Sequence, residues 1–158
     1  QSINEARRAA KSFVDHTLAS SGNRKVSLVA FPGGLKTPVT NDKTVVMDAL
    51  GGLTPIGSTP MALGLAQARA ALKQSTGVHK VYVVLTDGHP DDPEGTIEEC
   101  HRIRRTGGRI ITVGVGRQVK QDYLRGLCSS PSDYHHCDQS IELEGTFINL
   151  ATELSDGA

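Results

Sequence analysis

The segment Val78 to Leu85 constrains the fold more than any other part of the sequence. It is a nearly continuous run of apolar, mostly β-branched residues that ends shortly before Asp87-Gly88. A strand in which apolar and polar residues alternate has one solvent-exposed face. An unbroken apolar strand is instead typical of a parallel sheet buried on both faces. The run is also far shorter than the roughly 20 apolar residues that span a bilayer. The sequence therefore predicts a buried parallel strand and no membrane insertion.

The other apolar patterns alternate between amphipathic helices and short strands. Helices are predicted over residues 3–18, 43–50, 60–73, 93–105, 119–127 and 143–154. Strands are predicted over residues 25–31, 36–39, 109–115 and 134–137, and Pro38 restricts the second of these to a sheet edge. This alternation predicts a single α/β domain over residues 1–158, with a doubly wound, mostly parallel sheet flanked by helices on both faces.

Charge excludes some classes of partner. The 158 residues include 17 Lys or Arg and 17 Asp or Glu, so the formal net charge is zero. A neutral chain has no overall field that attracts nucleic acid or anionic lipid, although local patches remain open. We expect no nucleic-acid partner.

The three cysteines are Cys100, Cys128 and Cys137, with no Cys-x-x-Cys pair among them. An odd number cannot pair completely within the chain, which slightly favours a reducing, cytoplasmic compartment over an extracellular one. The run His135-His136-Cys137 suggests zinc, but neighbouring residues of a strand point to opposite faces. All three side chains cannot converge on one ion, and strand or surface roles are favoured.

Two oxygen-bearing residues occupy loops next to predicted elements. Thr59, in Gly57-Ser58-Thr59-Pro60, opens a helix, and Asp87 follows the end of the apolar strand. Ligands of open α/β sheets bind beyond the carboxyl ends of the strands, where these two loops can meet. Hydroxyl and carboxylate oxygens suit a hard divalent cation. The alternative roles are structural, because Thr59 can cap its helix and Asp87 can shape a turn.

Four segments also match a known family in order and spacing. They are Gly51 to Leu65 with its Gly-Ser-Thr-Pro, Val81 to Gly88 ending Leu-Thr-Asp-Gly, Val26 to Phe31, and Ile110 to Gly116. Together they make the chain resemble a von Willebrand factor type A domain over nearly its whole length. Each motif is short, so the resemblance depends on their order and spacing.

The resemblance implies a metal-ion-dependent adhesion site that holds Mg²⁺ or Mn²⁺. In that family the ligands come from an Asp-x-Ser-x-Ser motif, a threonine and an aspartate; Thr59 matches the threonine and Asp87 the aspartate. An open position on the ion is completed by an acidic side chain of a protein partner. The resemblance therefore implies a binding module and not an enzyme.

Further residues flank this expected site. Thr54 and Ser58 lie in the loop before the helix that Pro60 opens, and His89 and Asp91 lie in the loop after Asp87-Gly88. Their side chains are candidates for a partner-binding rim. The alternative for the second loop is a solvated helix start, where acids favour the positive end of the helix dipole.

The sequence departs from the family pattern at its beginning. No Asp-x-Ser-x-Ser occurs, and Gln1 to Ala6 matches the helix that follows that motif. The family's first strand, central in its sheet, is therefore expected to be missing from residues 1–158. A truncated chain, a strand supplied by another polypeptide and a degenerate fold are the three explanations, in that order of preference.

Other functions fit less well. Gly52 to Thr59 matches a P-loop except that Ser58 replaces the phosphate-binding lysine, and a helix instead of a strand precedes it. No spacing singles out a catalytic triad. The alternative within the binding class is an intracellular structural or assembly scaffold with an empty or degenerate metal site, of the kind that can work with an AAA+ ATPase.

Overall fold

The computed structural model alternates helices and strands along the chain. It describes residues 3–19, 26–30, 34–52, 60–73, 80–86, 89–117 and 119–156. The helices are α1 (Ile3–Ala19), α2 (Lys43–Gly51), α3 (Met61–Lys73), α4 (Pro93–Arg105), α5 (Gln121–Leu127) and α6 (Leu143–Asp156). The strands are β1 (Val26–Ala30), β2 (Gly34–Thr40), β3 (Val81–Thr86), β4 (Arg109–Val115) and β5 (Tyr134–Cys137). Short 3-10 helices, Pro131–Asp133 and Ser140–Glu142, flank β5.

Three strands form a parallel sheet in the order β3-β4-β5. Val81 of β3 lies opposite Arg109 of β4, and Thr112 of β4 lies opposite Tyr134 of β5. Every residue of β4 after Arg109 is buried. The sheet is therefore covered on both faces, as the apolar strands predict.

The strands β1 and β2 form a separate antiparallel pair. Leu28 lies opposite Thr37, and Ala30 lies opposite Gly34. Pro38 lies within β2. This confirms a strand near the predicted position, extended at both ends to Gly34–Thr40, in which a proline is tolerated because β2 pairs with a strand on one side among the described residues.

Helices pack on both faces of the three-stranded sheet. On one face lies a cluster from α3, α4, α5, β3 and β4, here called the α3–α5 cluster. It comprises Met61, Leu65, Tyr82, Val84, Cys100, Ile103, Ile110, Leu124 and Leu127. On the other face lies a cluster from α1, α6, β4 and β5, here called the α1–α6 cluster. It comprises Ala9, Ile111, Val113, Val115, Cys137, Leu143, Phe147 and Leu150. Consecutive residues of β4, Ile110 and Ile111, belong to opposite clusters, as the twofold period of a strand requires. The predicted doubly wound α/β class is confirmed.

Several boundaries differ from the sequence prediction, among them the starts of α5 and β3. Helix α5 begins at Gln121 and not at Val119, because Val119 packs against the α3–α5 cluster from outside the helix. Strand β3 begins at Val81, and residues 78 and 79 lie outside the described residues.

Helices connect the β1–β2 pair with the larger sheet. α3 contacts both β1 and β2 and also packs against α4. α1 packs against α6 and α2. Among the described residues, no backbone pairing joins the β1–β2 pair to β3. The two sheets are thus held together by helices in this part of the structure.

The longest helix, α1, has 17 residues and is amphipathic. Ala9 and Val14 are buried, whereas Arg8, Asp15 and His16 are exposed. Across the described residues, no helix combines the length and apolarity needed to cross a membrane.

Candidate metal and partner-binding site

The carboxyl ends of the parallel strands lie side by side at one edge of the sheet. Thr86, the last residue of β3, pairs with Gly114 of β4, and Gly114 pairs with His136 of β5. Asp87 follows Thr86 directly in the sequence. Open α/β sheets bind their ligands at this edge. β3 therefore brings the chain to the expected binding edge one residue before the predicted aspartate.

The segment before α4 forms the described part of the predicted rim. His89 and Asp91 are exposed. Asp92 is the N-cap of α4, since its Oδ1 accepts a hydrogen bond from the Gly95 N–H at 3.0 Å. Its carbonyl also accepts from the Thr96 hydroxyl at 2.8 Å. Asp92 is thus committed to the helix start, and His89 and Asp91 are the exposed polar side chains of the rim.

The start of α4 is also fixed from α5. The Tyr123 hydroxyl donates to the Pro93 carbonyl at 2.8 Å, and burial raises the pKa of Tyr123. A side chain at Gly95 would place its Cβ 2.1 Å from Asp92 Oδ2. Glycine at 95 therefore allows the capping carboxylate to lie directly over the first turn.

Close packing also fixes the middle of the edge. A Cβ at Gly114 would lie 2.8 Å from Leu124 Cδ1 and 3.1 Å from Tyr134 Oη. Gly116, just after β4, has a φ of 109°, which favours glycine, and its N–H donates to the Cys137 carbonyl at 2.8 Å. These glycines hold the ends of β4 and β5 in register beneath the candidate site.

A polar chain that sequence analysis did not anticipate runs from β5 to the residue after it. Tyr134 Oη lies 3.2 Å from His136 Nδ1, and His136 Nε2 lies 2.7 Å from Asp138 Oδ1. The guanidinium carbon of Arg125 lies 5.2 Å from the Tyr134 ring centroid, and burial raises the pKa of Tyr134. The signal was present, because residues 134 and 136 share one face of a strand.

The alternation argument against zinc at His135-His136-Cys137 is supported. Cys137 belongs to the α1–α6 cluster, and its Sγ lies 3.3 Å from Thr146 Oγ1. His136 instead contacts Tyr134 and Asp138. Among the described residues, no group of three or more His, Cys, Asp or Glu side chains has a geometry that could hold a metal ion.

Four predicted site residues lie outside the described residues: Thr54, Ser58, Thr59 and Asp87. Their roles stay predictions. The described neighbours of these loops include Pro60, whose carbonyl accepts from the Gly64 N–H at 3.1 Å at the start of α3. The helix that Thr59 was predicted to open is therefore present.

One buried carboxylate oxygen at the start of α1 has no hydrogen-bond partner among the described residues. It is Oε2 of Glu5, in the first turn of the helix. A buried carboxylate oxygen without a donor or cation is costly. Glu5 Oε2 is therefore a buried acceptor to which no described group donates.

Helices on both faces of a parallel sheet, with the strand ends aligned at one edge, define a doubly wound α/β domain. The sequence profile of the von Willebrand factor type A domain matches residues 1–146, and the chain belongs to this family. The resemblance drawn from the Gly-Ser-Thr-Pro and Leu-Thr-Asp-Gly motifs is confirmed. Domains of this family are protein-interaction modules.

Matrilin-1 of Gallus gallus is 34% identical over 110 residues, which cover 64% of this chain and 21% of the relative. The chain thus spans about a fifth of that protein's length.

Two solved structures share the fold. The vWF domain of the type V pili tip protein Mfa5 from Porphyromonas gingivalis has a TM-score of 0.89 at 13% identity, covering 98% of this chain and 88% of that one. Proximal thread matrix protein 1 from the mussel byssus, described with a zinc-occupied MIDAS motif, has a TM-score of 0.81 at 22% identity. That match covers 96% of this chain and 40% of the other. At these identities the two structures establish the fold alone.

Proposed function

We propose that this domain captures a protein partner through a divalent cation, Mg²⁺ or Mn²⁺, held at the carboxyl edge of the sheet by Thr59 and Asp87. An acidic side chain of the partner completes the coordination. The observation that carries the proposal is the alignment of Thr86, Gly114 and His136 at one edge, with Asp87 next in the chain. The family membership supports it.

The donor chemistry fits such an ion. A threonine hydroxyl and an aspartate carboxylate are hard oxygen donors, and Mg²⁺ commonly uses few carboxylates and keeps several waters. Bound Mg²⁺ or Mn²⁺ supplies a Lewis-acidic position for a partner carboxylate. The unpartnered Oε2 of Glu5 supports a donor or cation near the first turn of α1. The zinc-occupied motif described for proximal thread matrix protein 1 supports a divalent ion in this fold.

The rim of this site contacts the partner through Thr54, Ser58, His89 and Asp91. The exposure of His89 and Asp91 supports this role. Asp92, by contrast, serves α4 as its N-cap. The module is a binding protein and not an enzyme, and it does not insert into a membrane. It has no nucleic-acid partner, which the zero net charge supports.

A further strand completes the sheet between β1 and β3. The support is the pattern of β3, in which Tyr82, Val84 and Thr86 are buried while Val81 and Val83 pack against the α1–α6 cluster. Such nearly complete burial is typical of the interior of a parallel sheet, and within the described residues β3 pairs only with β4.

Amide hydrogen exchange of the intact protein tests the added strand. An edge strand leaves alternate N–H groups without a ladder partner, so they exchange quickly. We expect every amide from Val81 to Thr86 to be protected. Fast exchange at alternate positions would show that β3 is an edge.

Titration of the protein with Mn²⁺ alone, followed by calorimetry, tests the metal site. We expect Asp87→Asn to weaken Mn²⁺ binding by about tenfold or more, because it removes a charged ligand. Asp48→Asn, at an exposed position of α2, is the matched control and leaves the affinity unchanged. Thr59→Ala weakens binding, whereas Thr59→Ser retains the hydroxyl and the affinity. Equal Mn²⁺ affinities for Asp87→Asn and Asp48→Asn would overturn the proposal.

A further inference from the structure

A groove lies between α1 and α2, and its lining includes none of the residues proposed to hold the ion or to form the rim. The helices run antiparallel, because Asp15 pairs with Lys43 at 2.7 Å while Arg7 Nε donates to the Leu50 carbonyl at 2.9 Å. The groove has a volume of about 620 Å³. Its lining side chains are Arg7, Arg8, Lys11, Ser12, Asp15 and Met47.

The charges of this α1–α2 groove do not cancel. Its one acid, Asp15, is bound by Lys43, and that hydrogen bond lowers the pKa of Asp15. Arg8 is exposed, and no acid among the described residues forms an ion pair with Arg8 or Lys11. Arg8 and Lys11 are three residues apart on one helix face, where like charges repel. An anionic group from outside would relieve this repulsion.

The groove also has an apolar part. Met47 is half-buried and packs on the cluster of Val14, Val46 and Leu50. A methionine at the surface adapts to different apolar side chains of a ligand. The groove thus combines cations with an apolar contact, and it includes the carboxylate of Asp15.

These features distinguish two kinds of anionic partner. A sulfated polysaccharide offers closely spaced anions and little apolar surface, so it would gain little from contact with Met47. A protein segment offers carboxylates beside apolar side chains. We infer that the α1–α2 groove binds an acidic protein segment, with carboxylates on Arg8 and Lys11 and an apolar side chain on Met47.

Fluorescence anisotropy tests this binding with a labelled synthetic peptide of Glu, Leu and Gly in EDTA at low ionic strength. EDTA removes divalent ions, so the result is independent of the proposed metal site. We expect saturable binding that Arg8→Glu/Lys11→Glu weakens by about tenfold or more, because reversed charges repel the peptide. Met47→Ser also weakens it. Circular dichroism verifies that each variant is folded.

The matched control is Lys73→Glu/Arg105→Glu, which changes the net charge equally at exposed positions of α3 and α4. We expect it to bind as the unmodified protein does. Equal weakening by both charge reversals would reduce the effect to net charge and overturn the proposal. Failure of the Glu peptide together with saturable binding of a heparin oligosaccharide would also overturn it, as would unchanged affinity of the Arg8→Glu/Lys11→Glu variant.

Discussion

Arg69 of α3 donates from its Nε to the carboxylate of Glu99 in α4, whose side chain is only 4% exposed. Arg102 contacts the other carboxylate oxygen at 3.2 Å. The hydrogen bond to Glu99 raises the pKa of Arg69. A buried carboxylate destabilises a fold unless it is paired and hydrogen-bonded. The two arginines therefore permit the burial of Glu99, and Arg69 links α3 to α4.

Replacing Arg69 by methionine leaves Glu99 with one partner. We expect Arg69→Met to lower the free energy of unfolding by about 1–3 kcal/mol, since a buried acceptor loses its donor. Arg69→Met/Glu99→Leu should recover much of this loss, because an apolar pair can replace a buried ion pair. Urea denaturation measures both, with Arg105→Met at an exposed position as the control. If the double variant is as unstable as Arg69→Met, the lost stability comes from packing and not from the unpaired carboxylate of Glu99.

Gly114 tests how tightly the binding edge is packed. A Cβ there would meet Leu124 at 2.8 Å and Val119 at 3.1 Å, so Gly114→Ala should destabilise the domain by about 1–3 kcal/mol. Gly126 in α5 has no neighbour within 4 Å of its Cβ position. Gly126→Ala should stabilise the domain by about 0.5–1 kcal/mol through its helix propensity. Thermal unfolding of the two variants measures both, and equal melting temperatures would contradict the packing argument.

Local patterns predicted the elements but not the contacts between them. The apolar run of β3 and the spacing of apolar residues in α4 are properties of residues close in sequence. The bounds of both elements were predicted to within a few residues. The contact between Arg69 and Glu99 joins residues 30 positions apart, and it depends on how two helices pack. The spacing of apolar residues and the helix propensities contain no information on how α3 and α4 are placed against each other.

The candidate site shows the same division. The end of β3 beside Asp87 follows from the sequence pattern, whereas the alignment of Thr86, Gly114 and His136 follows from strand pairing. The strand pattern places Tyr134 and His136 on one face, whereas the contact of His136 with Asp138 depends on the path of the chain after β5.

Burial is expected to make the three thiols, all free, slow to react in the folded protein. It raises the pKa of Cys100 to about 12, from 9.0, and raises the pKa values of Cys128 and Cys137. Since the thiolate is the nucleophile, we expect slow reaction with Ellman's reagent at neutral pH and fast reaction in denaturant. Fast labelling of the native protein would contradict this burial.

The same shift has a consequence for stability at alkaline pH. A pKa that is higher in the folded state means that folding favours the protonated thiol. The contribution of Cys100 is therefore fully present below pH 9.0 and is lost as the pH rises toward about 12. Melting temperatures measured across this range should fall less steeply for Cys100→Ala than for the unmodified protein. Parallel curves would show that other groups cause the loss, such as the three tyrosines, whose pKa values burial also raises.

Arg109 connects the start of β4 to the 3-10 helix before β5. Its Nε and one terminal nitrogen bind the two carboxylate oxygens of Asp133 at 3.2 and 2.8 Å, and the Asp133 side chain is 8% exposed. Lysine keeps the charge but cannot reproduce this bidentate hydrogen bonding. We expect Arg109→Lys to destabilise the domain by about 1 kcal/mol and Arg109→Met by about 1–3 kcal/mol, as Asp133 loses its partner. Guanidinium denaturation measures the order, with Arg105→Lys, at an exposed position of α4, as the control. Because Asp133 immediately precedes β5, the NMR resonances of the His136 ring should shift in both Arg109 variants. They should stay unchanged in a variant at Lys73 of α3. Unshifted resonances in the Arg109 variants would show that the Arg109–Asp133 pair does not position the β5 side of the binding edge.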